Sequence, residues 1–227
     1  MTGMNLPTIA ELASLLEGEG VSLPAGAEDK LLLHAAEMLR WNRSIRLTSI
    51  TAPQEVAVKH ILDSLLLLSF SPFPGRTLDF GSGAGYPGIP LAIALPEARL
   101  VLLESSAKKC AFLSHACAML GLGNATVIHG RIDSRGGPSI GRFEQIVTRA
   151  TLPPPEAAEL LVPLLAPGGR LLLMAGPGKG RRGEVGAGES PAAEEALPPG
   201  TAYGRRERFT LPSRMGYREI REVRAKA

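Results

Sequence analysis

The sequence predicts an α/β fold: a mainly parallel sheet with helices on both faces, preceded by a helical extension. Three observations predict it. From Arg76 onward, short apolar runs bounded by Gly, Pro or Asp alternate with stretches of helical periodicity, the rhythm of strand-helix-strand units. The first of those runs passes through Leu78-Asp-Phe-Gly-Ser-Gly-Ala-Gly-Tyr-Pro-Gly88, a strand that dissolves into glycines just before a helix begins. Ahead of Arg76 the apolar residues recur at three and four instead. The expected organisation is a helical extension over residues 1–75 and a sheet domain over 76–227, packed as one globular unit.

The elements follow in order. Ile9, Leu12, Ala13, Leu15 and Leu16 define a first helix, ended by Gly18 and Gly20. Leu31, Leu32, Ala35, Met38 and Leu39 define a second, running into Arg40-Trp-Asn-Arg43. Residues 44–51 alternate and read as a loop. A third helix spans 55–70, with an apolar face of Val56, Ile61, Leu62, Leu65, Leu66 and Leu68, and Ser71-Pro-Phe-Pro-Gly75 breaks it. Strands are expected from Arg76, over 98–104, 126–129, 143–149 and 170–174. Helices are expected from Pro87, over 107–120 and over 154–165. Residues 176–204 are rich in Gly, Pro, Glu and Arg and read as a mobile surface insertion. The tail is expected to add two edge strands, around Phe209 and Ile220.

Composition narrows the class. The 227 residues are 44% hydrophobic, enough for a sizeable core, and the net charge of +3 with a basic pI near 9.1 permits nucleic acid without demanding it. Cys110 and Cys117 lie seven apart on one expected helix, too far for bridging, and read as free thiols in a reducing compartment. The first residues lack a basic stretch followed by an unbroken apolar core, so no signal peptide is expected. The longest apolar run, 61–70, carries Asp63 and Ser64 and is too short to span a bilayer. A cytoplasmic protein with no membrane contact is expected.

The chemistry concentrates behind the first strand. Gly81, Gly83 and Gly85 can adopt positive φ and leave main chain free of Cβ atoms, so backbone N–H groups at a helix start can face a nucleoside. The run Gly83-Ala-Gly-Tyr-Pro-Gly88 also satisfies the dinucleotide pattern G-x-G-x-x-G. Three features argue against a dinucleotide. Asp79 would repel a pyrophosphate but could hold a cationic amino-acid end; the frame from Gly81 is G-x-G-x-G; and Pro87 and Pro90 remove donors that a diphosphate needs. S-adenosylmethionine, with a sulfonium and an ammonium, suits Asp79 better. Glu104, about twenty residues past the glycines, is placed to accept ribose hydroxyls, with a helix-capping acid beside Lys108 and Lys109 as the alternative. Ile132 and Asp133 are placed for an adenine, or form an ordinary turn. Arg149 ends the fourth strand and points to cofactor or substrate, unless it is a salt-bridged core arginine. In the extension Arg40, Trp41, Arg43 and Arg46, with Lys59 and His60 nearby, interleave cations and a ring as an RNA-binding face would. A packed Trp41 among solvated arginines fits the spacing equally well. His60 and Asp63 lie three apart on one helix face. No metal-ligand cluster is visible, and Ser82, Ser105 and Ser106 lack a His–Asp pairing for hydrolysis.

Together LTSI at 47–50, HILDSL at 60–65, LDFGSGAGYPGIPLAIALPEA from 78, LLESSAKKCAFL at 102–113, HGRID at 129–133 and TRA at 148–150 resemble one family. It is the glucose-inhibited division protein B family, the RsmG-type bacterial small-subunit rRNA guanine-N7 methyltransferases, and the likeness covers about residues 41–174. The resemblance implies a Rossmann-like class I S-adenosylmethionine-dependent methyltransferase sheet with a helical N-terminal extension. Its acceptor would be a guanine in the 530 loop of 16S rRNA, met as naked RNA or in the small ribosomal subunit by a monomer. It implies cofactor contacts from Gly81 and Tyr86, a ribose and adenine region from Glu104 through Ser105 to Ser106, adenine contacts from Ile132 and Asp133, and a methionine-end or guanosine contact from Arg149. Family members often carry Lys in an L-K-G segment where this chain reads Met174-Ala-Gly176, Asn where it reads Arg46, and a different C-terminal pattern from GYREIREVRAKA. Guanine N7 has a lone pair and no proton, so the expected chemistry is alignment without a general base. Two other readings remain: an RNA-binding factor that keeps the cofactor fold without turnover, and a nicotinamide-dependent oxidoreductase, for which the chain after the fourth strand is too short.

Overall fold

The structure, a computed structural model, describes residues 6–133, 136–149, 152–176 and 196–225. Seven strands form one sheet in the order β3-β2-β1-β4-β5-β7-β6. They are β1 Arg76–Phe80, β2 Arg99–Glu104, β3 Ala125–His129, β4 Phe143–Arg149, β5 Leu165–Ala175, β6 Thr201–Thr210 and β7 Tyr217–Ala225. The first five run parallel, β7 lies antiparallel to β5, and β6 lies antiparallel to β7. Successive strands step one way from β1 to β3, then restart on the other side of β1 with β4. That reversal opens a crevice at the carboxyl ends of β1 and β4.

Side-chain alternation decides which helices cover which face. Leu100, Leu102, Val147, Leu172 and Met174 point to one core, shared with helices α1 Ile9–Gly18, α2 Ala27–Trp41, α5 Gly88–Ala94 and α6 Ala107–Met119. Leu78, Val101, Leu103, Ile146, Leu171 and Leu173 point to the other, covered by Ala157, Ala158 and Leu161 of α7 Pro154–Leu161. The first helix starts on a capping box, Thr8 with Glu11, and buries Leu12 and Leu16 against the first of these cores. Each such leucine is worth roughly 1.5–3 kcal/mol.

The third predicted helix is continuous but not uniform. It comprises α3 Pro53–Val56, a π-helical stretch Ala57–Leu62, α4 Asp63–Leu65 and a 3₁₀ turn Leu66–Phe70. The wider π turn re-phases the side chains, so that His60, Asp63 and Ser64 are buried along with the apolar face. The 3₁₀ turn Val162–Leu164 similarly finishes α7 and leads straight into β5, which starts five residues before the expected Arg170 because Pro167-Gly-Gly169 bulges within the strand.

The expectation of two edge strands in the tail needs correction. β6 is an edge, but β7 lies inside the sheet, with Ile220 and Val223 fully buried. Glu219 and Glu222 of the same strand are also buried, and each carboxylate is met by arginines: Arg206 and Arg221 for the first, Arg224 and Arg170 for the second. Paired charge therefore lets a highly charged segment enter the sheet. Of the expected insertion, residues 177–195 lie outside the described residues, as does Ala150. Among the described residues no helix is long and apolar enough to cross a membrane.

Candidate functional site

β1 ends at the switch point, and Gly81, Gly83 and Gly85 take φ of 77°, 58° and 87°, which L side chains disfavour. The turn is held by its neighbours. The N–H groups of Gly81 and Ser82 both donate to Leu103 O, at 3.0 and 3.1 Å. Gly83 N–H donates to Glu104 Oε2 at 2.9 Å, and Ser106 N–H to Oε1 at 2.8 Å. Glu104 is 6% exposed and so clamps the glycine loop to the start of α6. Beyond Gly83 the space is open: an added Cβ would meet only Gly81 O, at 3.8 Å.

The cleft in front of this loop has a volume of about 940 Å³ and is lined by Phe80, Gly81, Leu103, Ser105, Ile132 and Asp133, with α7 on its far wall. Ile132 is buried. Asp133 and Gly136 exchange backbone hydrogen bonds at 3.0 and 2.9 Å. Arg131 stands 3.6 Å from the Asp133 carboxylate. The structure thus brings Gly81, Ser105, Ile132 and Asp133 to the wall of one cleft, with Gly83, Glu104 and Ser106 tied together beside it by the Glu104 hydrogen bonds.

Three expected ligands are turned away from it: Asp79, Tyr86, and Gly85, where an added Cβ would meet Ile89 Cδ1 at 2.6 Å and His34 Nε2 at 3.1 Å. Asp79 is 1% exposed and lies beneath the loop, where Oδ2 accepts from Gly88 N–H at 3.0 Å and Oδ1 has no partner. Burial pushes its carboxyl up to about 6, against the nearby Ser82 hydroxyl, the Gly88 hydrogen bond and the Arg149 charge. It therefore satisfies the first free N–H of α5 rather than facing a ligand's ammonium, and that N–H is likewise not offered to the cleft. Gly88 is obligatory, since a Cβ there would stand 2.2 Å from Leu102 Cδ2 and 2.5 Å from Asp79 Oδ2.

Tyr86 is the second. Its ring is 2% exposed and sandwiched between His34 and His60, at centroid distances of 4.6 and 4.5 Å. Its hydroxyl is buried without a partner. Tyr86 fastens the glycine loop to the helical extension instead of reaching the crevice.

His60 is corrected with it: expected on an RNA-binding face, it is buried and spends both ring nitrogens. Arg149 Nη2, which can only donate, lies 3.3 Å from His60 Nδ1, so that nitrogen accepts. His60 Nε2 then carries the proton and donates to Thr48 Oγ1 at 3.0 Å. Burial, then the Arg149 charge, push its pKa down to about 3. Burial likewise takes His34 to about 4, while its Nε2–H donates to Ala84 O at 3.0 Å.

Arg149 takes the salt-bridged alternative. It donates from Nη1 to Lys59 O at 3.0 Å and to Asp63 Oδ2 at 3.2 Å. Trp41 is also structural: it packs edge-on against Phe112 and donates to Glu37, which also pairs with Arg40. Arg43 and Arg46 remain exposed on the loop after α2. Asn42 folds that loop, accepting from the N–H groups of Leu47 and Thr48 and donating to Thr48 O.

Sequence reasoning noted Asp63 beside His60 without giving it a role, and missed Arg218, His34 and Thr48. Asp63 is fully buried and pairs with both Arg149 and Arg218. The available signal was a lone Asp inside the apolar run 61–70, which costs too much to bury without a cation.

Comparison with known proteins bears on what the crevice is for. A family model described as rRNA small subunit methyltransferase G matches residues 27–189. The chain belongs to this family. Ribosomal RNA small subunit methyltransferase G from Geobacter sp. (strain M21) is 39% identical over 157 residues, covering 69% of this chain and 72% of that one. Among solved structures, a SAM-dependent methyltransferase from Aquifex aeolicus has a TM-score of 0.54 at 13% identity, covering 83% of this chain and 97% of that one. The O-methyltransferase TomG from Streptomyces achromogenes, solved with SAM, has a TM-score of 0.54 at 18% identity over 95% and 96%. At such identities the structural likeness speaks for the shared Rossmann-like fold alone. Within the family, Glu104 and the glycine loop lie inside the matched stretch, whereas β6 and β7 lie beyond it.

Proposed function

We propose that this chain transfers a methyl group from S-adenosyl-L-methionine to N7 of a guanine in 16S rRNA, in the 530 loop. The observation that carries the proposal is the Glu104 clamp. A buried carboxylate tied to a Cβ-free loop stands between Leu103 and Ser105, which with Gly81 line a cleft of about 940 Å³, within the size of small-molecule sites, in a chain of an rRNA methyltransferase family. Those residues fit the cofactor. Gly81 and Gly83 let its nucleoside lie against main chain, Glu104 retains lone pairs for ribose hydroxyls, and Ile132 with Asp133 borders the adenine. When bound, the cofactor supplies an electrophilic methyl carbon on a sulfonium.

The protein's own residues have a limited task. Guanine N7 needs no deprotonation, so no side chain must act as base, and none of the crevice residues is placed as one. What the chain provides is alignment, which can lower a barrier by about 7–11 kcal/mol. Arg43 and Arg46, exposed on a loop whose Thr48 is hydrogen-bonded to His60 and so to the Tyr86 stack, approach the RNA from the extension side. The test is incubation with methyl-labelled cofactor and either small ribosomal subunits or naked 16S rRNA, with borohydride–aniline cleavage to locate 7-methylguanine. Label at one guanine is the expected result. Binding of RNA without label would identify a factor that has lost turnover, and binding of NADH in place of S-adenosylhomocysteine would identify an oxidoreductase.

A further inference from the structure

The β6–β7 hairpin turns over residues 211–216, on the same rim of the sheet as the crevice. Ala175 at the end of β5 pairs with Glu219, and β7 begins two residues earlier at Tyr217. The hairpin tip therefore stands beyond the carboxyl ends of the parallel strands. β1 and β7 are separated by three strand spacings, about 14 Å. The tip is thus too far from the glycine loop to touch a nucleoside there, yet within reach of a strand whose target base lies in the crevice.

The tip is held in one shape. Leu211 is buried, and Phe209 and Met215 pack against the same core. Leu211 N–H donates to Gly216 O at 2.8 Å and Met215 N–H to Pro212 O at 3.1 Å. Ser213 and Arg214 between them are exposed and take φ of 56° and 57°, where asparagine or glycine is the usual choice. An arginine there is disfavoured by its own backbone, and no packing of the exposed side chain offsets that.

The Arg214 guanidinium is also free. The other arginines of the two strands are occupied by Glu207, Glu219, Glu222 and Asp63, or, for Arg208, by the ring of Tyr217. Arg149 and Arg131, on the same rim, are held by Asp63 and Asp133. Arg214 has no hydrogen-bond, ion-pair or ring partner among the described residues. On the extension side of the crevice Arg43 and Arg46 are alike, exposed and without a side-chain partner among the described residues.

We propose that the hairpin tip is a second RNA-docking point, at which Arg214 forks onto a backbone phosphate of the acceptor strand. The strand then crosses the crevice between Arg214 on one bank and Arg43 with Arg46 on the other. This rests on the RNA reading above, and its test does not depend on turnover. Binding of the full chain to a 16S rRNA fragment is followed by fluorescence anisotropy across a salt series, and S-adenosylhomocysteine binding by calorimetry. Arg214→Gly removes the charge and suits the turn, so it should melt no lower than wild type. It should nevertheless weaken RNA binding about fivefold at about 0.1 M salt and lower the magnitude of the slope of log K against log salt by about 0.7. S-adenosylhomocysteine affinity should be unchanged. Arg214→Lys should keep the slope, since a point charge still neutralises a phosphate. Lys30→Gln is the charge control: Lys30 is exposed at the opposite end of the sheet, beside Arg99 at the start of β2, and its loss should leave the slope as it is. A wild-type slope in Arg214→Gly overturns the proposal. So does an equal fall in Lys30→Gln, which would mark a general attraction to RNA rather than a docking point. A wild type that transfers no methyl, while the Arg214 contact shows in the salt slope, refutes the proposed function and leaves this contact standing.

Discussion

Asp79→Asn separates a buried, proton-holding carboxyl from an ordinary ion-paired one. Asp79 sits under the glycine loop with one oxygen on Gly88 N–H and the other unpartnered, and burial raises its pKa from 3.8 to about 6. The folded protein thus holds this proton more tightly than the unfolded chain does. Its contribution to stability is fully present below about pH 4 and is lost as pH rises through 6. About two units correspond to roughly 3 kcal/mol in all, of which about 2 kcal/mol falls between pH 4.5 and 7.5. Asparagine does not titrate. Its amide oxygen can still accept from Gly88 N–H, and it points an NH2 group at a place with no acceptor, a cost that is the same at both pH values. The stability of Asp79→Asn relative to wild type should therefore improve by about 2 kcal/mol from pH 4.5 to 7.5. Urea unfolding followed by circular dichroism at the two pH values measures it, and His34 and His60 cancel because both proteins carry them. A difference that stays flat, or runs the other way, would refute the reasoning and mark Asp79 as an ionised partner of Arg149.

Three further outcomes follow from the same loop. Gly88→Ala places a Cβ 2.2 Å from Leu102 Cδ2 and should cost about 1–3 kcal/mol by overpacking, seen in calorimetry as a melting point lowered by roughly 3–10 °C; an unchanged melting point would mean that the turn can yield. Tyr86→Phe deletes a buried hydroxyl without a partner, so the variant should be as stable as wild type or up to about 2 kcal/mol more stable, and a loss above about 1 kcal/mol in urea unfolding would reveal a missed partner for that oxygen. Glu104→Gln removes the charge that clamps Gly83 and Ser106 and should weaken S-adenosylhomocysteine binding by about 10- to 100-fold, which calorimetry reads directly; wild-type affinity would move the ribose contact elsewhere.

The parts that were legible in the sequence are those whose partners lie close along the chain or share its periodicity. The parallel strands, the glycine turn and Glu104 all fall between residues 76 and 175, and each carries its own local signal. Glycine marks positive φ, an acid ends a strand, and apolar runs mark burial. Tyr86 and Asp79 were placed in the right loop but on the wrong side of it. A sequence gives the φ freedom of Gly81 to Gly88 but not which way a side chain leaves the turn. Asp79 was pulled inward by the unsatisfied N–H of Gly88, and Tyr86 by the two histidines of the extension. β7 was misjudged as an edge because its charges count as solvent-seeking until Arg206, Arg221, Arg170 and Arg224 are seen to neutralise Glu219 and Glu222.

The Asp63 cluster was illegible for a deeper reason. Asp63 and Arg218 are 155 residues apart, and neither residue type nor local spacing links them. Yet the cost of burial already constrained the answer. An aspartate at zero exposure inside a helix of leucines is several kcal/mol too expensive unless a cation reaches it, so the sequence required a distant arginine without saying which. The structure supplies two where one would neutralise the charge. Arg149 reaches it from the end of β4 and Arg218 from β7, so one buried carboxylate ties the third helix to both the parallel and the antiparallel part of the sheet.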